Sequence, residues 1–180
     1  PSTWRANGVG VFGEAGPVAY KLYLIESLSA SSFNAANGIR GGRQNGARAT
    51  ADNLAFTGRV DLVSVPGLLA GVSFFTGESG KDLVADGQSF GARTTTFDVH
   101  ADWRFRGLWL RGVYARVAVD DAALLNRSLG LTGSRSIGER QEGYYLSAGY
   151  EVLSRLAPGT QMALTPFVRW EKTDTQKEVP

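Results

Sequence analysis

The chain of 180 residues contains no cysteine, one histidine and one methionine. Without thiols there is neither a disulfide scaffold nor a thiolate metal site, and a lone histidine is expected to hold no metal either. Also missing is any run of about 18 apolar residues, which excludes a membrane-spanning helix. The formal net charge is only +2, with no concentrated basic run, so no nucleic-acid partner is expected. What the chain does have is glycine, 23 residues of it beside 6 prolines, which suits a β protein with many turns. A hydrophobic content of 43% and a mean hydropathy of -0.14 resemble those of a soluble protein. Strands that alternate apolar and polar residues across a barrel wall give the same averages.

Period-two alternation predicts eight long strands: Trp4–Gly13, Val18–Glu26, Leu54–Val63, Leu68–Thr76, Thr94–Arg104, Leu108–Val119, Gly143–Leu153 and Gln161–Lys172. Each is roughly nine to twelve residues long, whereas globular strands average about five to six. A tilted membrane-spanning strand needs about nine to eleven. The connections sort by length. Short turns fall at Glu14–Pro17, Ser64–Gly67, Phe105–Gly107 and Ser154–Gly159, and long polar loops at Ser27–Asp52, Gly77–Ala92 and Asp120–Glu142. A soluble antiparallel sheet has no reason to sort its loops by end, but an outer-membrane barrel does, with short turns on the periplasmic side.

The two faces of each strand separate cleanly. Phe97, Val99, Ala101 and Trp103 share one face, against Asp98, His100, Asp102 and Arg104 on the other. Tyr20, Trp103, Tyr114, Tyr144 and Trp170 lie toward strand ends, as interfacial girdles do. Alternation alone leaves open whether the apolar side meets lipid or the core of a soluble, carbohydrate-binding β-sandwich. The sorted loops favour an all-β, antiparallel transmembrane β-barrel region over 1–180. With its first turn short, the chain is expected to start and end on the outer side, without a leader segment of its own. The expectation is an internal piece of a longer barrel of about 16 strands, with an eight-stranded barrel closed on itself as the alternative.

Several segments resemble a known family. Asn37-Gly38-Ile39-Arg40-Gly41-Gly42-Arg43-Gln44, Pro66–Gly77, Asp98–Trp103, Leu110–Ala115 and Pro166–Glu171 are similar to outer-membrane porins of the phosphate-selective porin O and P type. The resemblance implies a trimeric channel in the bacterial outer membrane that carries small solutes or anions such as phosphate, without a cofactor. It also implies lipid and lipopolysaccharide as surroundings. The anion-specific members carry a deep lysine cluster that has no residue-by-residue counterpart in this chain.

The residues themselves supply candidate sites. Lys21, Arg59, Arg104, Arg111 and Arg169 fall on the inward faces, opposed by Asp61, Asp98, Asp102, Glu151 and Glu171. Equal numbers of each sign suit salt-bridged ladders, with Arg59–Asp61 and Arg104–Asp102 as same-face pairs, rather than a one-sign selectivity ring. The first long loop sets Arg40, Arg43 and Arg48 among glycines, a composition that can bring backbone N–H groups and guanidinium forks to an anion at a constriction. Ordinary surface arginines facing water or lipopolysaccharide phosphates are the plainer reading. Asp120-Asp121 ahead of Ala122–Asn126 predicts a capped helical turn in the third loop. His100 flanked by Asp98 and Asp102 raises the question of catalysis, yet no serine shares a suitable position and no enzyme activity is expected. A non-conducting adhesin or anchor would fill its interior, whereas inward Ala19, Ala55, Thr57, Ser147, Gly149, Ala163 and Thr165 are small.

Overall fold

The computed structural model describes residues 4–47, 49–50, 52–157 and 159–180. In chain order it contains β1 (Gly8–Ala15), β2 (Val18–Glu26), β3 (Leu54–Leu62), β4 (Leu68–Gly77), a small hairpin of β5 (Val84–Ala85) and β6 (Gln88–Ser89), β7 (Thr94–Phe105), β8 (Leu108–Val119), helix α1 (Ala122–Ser128), β9 (Arg140–Tyr150), the short helix α2 (Leu153–Leu156) and β10 (Phe167–Glu178). Eight of the strands form one antiparallel meander in the order β1-β2-β3-β4-β7-β8-β9-β10. The two end strands, β1 and β10, each pair on one side. The fold is therefore all-β and antiparallel. Strands β7, β8 and β10 run 12 residues each, twice the usual globular length of about five to six.

Register fixes which side chains share a face. Lys21 pairs with Arg59, Arg59 with Ser73 and Ser73 with Asp98, so these build a polar face. One residue on, Leu22, Gly58, Phe74 and Phe97 align on the opposite, apolar face. Among the described residues the only further sheet is the β5–β6 hairpin, whose Ala85 packs with the loops at one end of the polar face. The apolar face is bare: Val99 is 46% exposed, Leu146 59% and Trp170 71%. The polar face is concave, because a single cleft of about 810 Å³ touches Arg59 of β3, Ser73 of β4, His100 of β7, Arg111 of β8 and Tyr145 of β9.

The buried core lies on the polar face at its long-loop end. Leu28, Ala30, Phe33, Phe90, Leu125 and Ile137 from the loops pack on Ala55, Phe75 and Val119, which are strand residues near that end. Hydrogen bonds lock the loops to one another. Ala30 N–H donates to Ser79 O at 2.8 Å. The buried Asn126 amide brackets Ile137, donating to its carbonyl at 3.0 Å and accepting from its N–H at 2.7 Å. Arg93 binds Glu78 at 2.6 Å across the base of the second loop, which raises the pKa of that exposed arginine above the ordinary value.

The expected strands β2 and β8 recur with the same bounds, but the last hairpin differs. β9 ends at Tyr150 and β10 begins only at Phe167, so the fourth connection spans 151–166 and is not a tight turn. The reason is local. The Glu151 carboxylate accepts from Leu153 N–H at 2.9 Å and Leu164 N–H at 3.2 Å, and Val152 N–H bonds Leu164 O at 3.0 Å. These bonds close a loop before the strand can resume, and they draw Ala163 and Thr165 off the sheet. The helical turn in the third loop is present as α1, but Asp121 caps it without a side-chain bond, its carbonyl accepting Leu125 N–H at 2.9 Å.

Candidate functional site

Two groups of side chains occupy the polar face. The first belongs to the loop between β2 and β3, residues 27–53, which lies across the face instead of standing off it. Thr175 Oγ1 of β10 donates to Ala35 O at 2.6 Å, so the loop reaches from the second strand of the sheet to the last. Beneath it a cleft of about 240 Å³ is lined by Trp4, Ile39, Arg40 and Arg43 on one side and Ala115, Val117 and Gln141 on the other. Gly38 rests on Gln141 with a φ of 56°, where an added Cβ would run into the Gln141 amide, so only glycine fits there. The Arg43 guanidinium stands 5.8 Å from the Trp4 ring. Burial, and after it the charge of neighbouring Arg40, lowers the Arg43 pKa from the usual guanidinium value. Arg40 and Arg43 line this one cleft, while Arg48 lies outside the described residues.

The second group is a charged ladder toward the short-turn end. Arg59 grips Asp61 through Nε at 2.6 Å and Nη2 at 2.9 Å. Asp61 also meets His100 Nε2 at 2.8 Å, and the other imidazole nitrogen, Nδ1, meets Asp98 at 2.7 Å. Asp98 in turn accepts from Ser73 Oγ. His100 of β7 therefore bridges to Asp61 of β3 across the whole width of β4. Gly71 makes that possible: a Cβ there would lie 2.9 Å from His100 Nε2 and against Asp61 Oδ1 and the Val60 carbonyl. Asp102 is not a His100 partner. It binds Arg111 Nε at 2.7 Å, and Arg104 approaches it only to 3.5 Å while staying 70% exposed. Arg169 binds Glu171 at 2.8 Å and lies 4.0 Å over the Tyr145 ring. Lys21 is exposed beside Arg59. Glu151, expected on the wall, sits past the end of β9 and is tied to backbone amides.

This arrangement is not that of a nucleophile and its base. Ser73 bonds Asp98 and not the histidine, and each imidazole nitrogen faces a carboxylate. Among the described residues no cluster of histidine and carboxylate side chains has the geometry to hold a metal ion. The pairing of Arg59 with Asp61 follows from their i, i+2 spacing. The His100–Asp61 bridge, Ser73 and Gln141 depend on strand register, for which the sequence carries no local signal.

No protein-family model matches the chain. A protein of Aquifex aeolicus (strain VF5), described as uncharacterized, is 32% identical over 188 aligned residues. That alignment takes in 100% of this chain and 42% of the relative, so the chain spans less than half the length of the protein it matches.

Proposed function

We propose that this chain is part of a bacterial outer-membrane porin, a β-barrel of about 16 strands with a water-filled pore along the concave face. The observation that carries the reading is the pairing of faces. Eight long strands expose a continuous apolar surface on one side while hydrogen-bonded charges line the other. Monomeric soluble proteins rarely leave contiguous apolar patches beyond a few hundred Å² in water, whereas a barrel wall requires one against the hydrocarbon. The single-sided pairing of β1 and β10 supports further strands from the same parent chain, since unpaired edge groups in lipid cost several kcal/mol each.

In this reading small solutes, anions such as phosphate among them, diffuse past the loop of residues 27–53, with Arg40 and Arg43 as selectivity contacts. The ladder then serves as a stiff, hydrated wall. Two of its pairs turn the donor toward the solute, the Arg59 side chain being 40% exposed against 10% for Asp61 and that of Arg111 41% against 23% for Asp102. In the third Glu171 is the more exposed, 64% against 46% for Arg169. Around Asp61 and Asp102 the wall therefore presents donors more than carboxylates, with Arg104 70% exposed as well, which favours anionic over cationic passage there. The assembly is a homotrimer, set in lipid with lipopolysaccharide at its outer rim.

The test is planar-bilayer recording of the full-length parent protein under a salt gradient. Stepwise conductance with an anion-selective reversal potential, reduced on replacing Arg40 and Arg43, is the expected result. Silent insertion of folded protein favours a second reading, a non-conducting barrel used as an anchor or adhesin. The packed loop core at one mouth speaks for that alternative.

A further inference from the structure

The narrow cleft beneath the loop of residues 27–53 has the makings of a binding site in its own right. Its floor holds Gln141, a side chain only 6% exposed whose Nε2 finds no hydrogen-bond partner. A buried donor without an acceptor is destabilising unless a bound group supplies one. Two guanidiniums, Arg40 and Arg43, line the same cleft, and with the Gln141 amide they suit an anionic oxygen pair. An apolar wall comes from Trp4, Leu28, Ile39 and Val117, beside the uncharged polar residues Asn37, Thr173 and Thr175. Glu142 and Asp174 also border the cleft, but register pairs them with one another on the apolar-face side of β9 and β10. Glu142 is bound there by Lys177 at 2.7 Å. At about 240 Å³ the space lies below the 300–1,000 Å³ of drug-sized ligand pockets.

We propose that this cleft binds a small monocarboxylate with a compact apolar body, its carboxylate accepting from Gln141 Nε2 and the two arginines and its body lying against Trp4 and Val117. The channel reading enters only in how such a solute reaches the cleft from the pore. A bare tetrahedral anion satisfies the donors but leaves the apolar wall unmatched, so the two classes are separable by experiment.

The probe is benzoate, titrated by saturation-transfer NMR into the full-length parent protein folded in detergent, with inorganic phosphate as competitor. Benzoate binds at least about tenfold tighter than phosphate, and Gln141→Leu weakens benzoate by about tenfold or more through loss of one charge-assisted hydrogen bond. Gln141→Glu, close to isosteric, sets a carboxylate against the ligand and abolishes binding, which guards against a folding defect in the leucine variant. Absence of benzoate binding, or equal binding of phosphate, overturns the proposal even if the protein conducts. Binding without conductance sustains the site and removes the channel reading instead.

Discussion

The two ends of the concave face are built from the same strands and the same alternation, yet they are held together by different forces. At the long-loop end Phe75 and Val119 vanish under Leu28, Leu125 and Ile137. At the short-turn end, on those same strands, Ser73 and Arg111 belong to an ion-pair ladder that borders an open cleft. The difference lies in what covers the strands. Where loops fold over the face, apolar side chains can be buried and contribute directly. Where nothing covers it, the wall is kept rigid by hydrogen bonds among charges that water still screens. One end is therefore a packed cap and the other a hydrated wall.

Substitutions sharpen that contrast, and all are expected to be read by unfolding of the detergent-folded parent protein. Phe75→Ala empties the cap and is expected to lower stability by about 3–5 kcal/mol, with the loops becoming open to protease. A change below about 1 kcal/mol would mean that the cap is loose. His100→Ala removes the bridge between Asp61 and Asp98 and is expected to cost about 1–3 kcal/mol. Gly71→Ala breaks the same bridge from beneath, so the double variant should fall short of the sum of the single ones. Strict additivity would show that the imidazole does not couple β3 to β7. Smallest is Arg59→Ala, half-exposed and paired at the wall, at about 0.2–1 kcal/mol. Its clearer signature is a reversal potential moved away from anions.

Much of this architecture was legible in the sequence. The alternation along Phe97–Arg104 gave the two faces, and the bounds of β2 and β8 followed from the tight turns beside them. The same logic failed at the last hairpin. Ser154–Gly159 read as a tight turn and Gln161–Lys172 as the strand after it, but the two backbone bonds to the Glu151 carboxylate that delay β10 have no sequence pattern. The loop arginines stood out because glycines surround them. Gln141 did not, since it was expected in the polar loop Asp120–Glu142, whereas β9 already begins at Arg140 and sets Gln141 against Gly38. Long-range register, not composition, decides which side chains meet, and that is the information a single strand does not carry.

The 180-residue segment expressed alone is expected to associate through β1 and β10, whose outer edges are unpaired. A well-folded soluble monomer in size-exclusion chromatography would count against the barrel.

The most direct test concerns the faces themselves, and none of these 180 residues is a cysteine that would compete for the label. Single cysteines placed in turn at Phe97, Asp98, Val99, His100, Ala101 and Asp102 of the full-length protein, spin-labelled in lipid vesicles, report collision with oxygen and with a water-soluble nickel chelate. The expected result is a period of two along β7, with oxygen dominant at Phe97, Val99 and Ala101 and nickel at Asp98, His100 and Asp102. Nickel access at every position would place both faces in water and contradict the membrane reading.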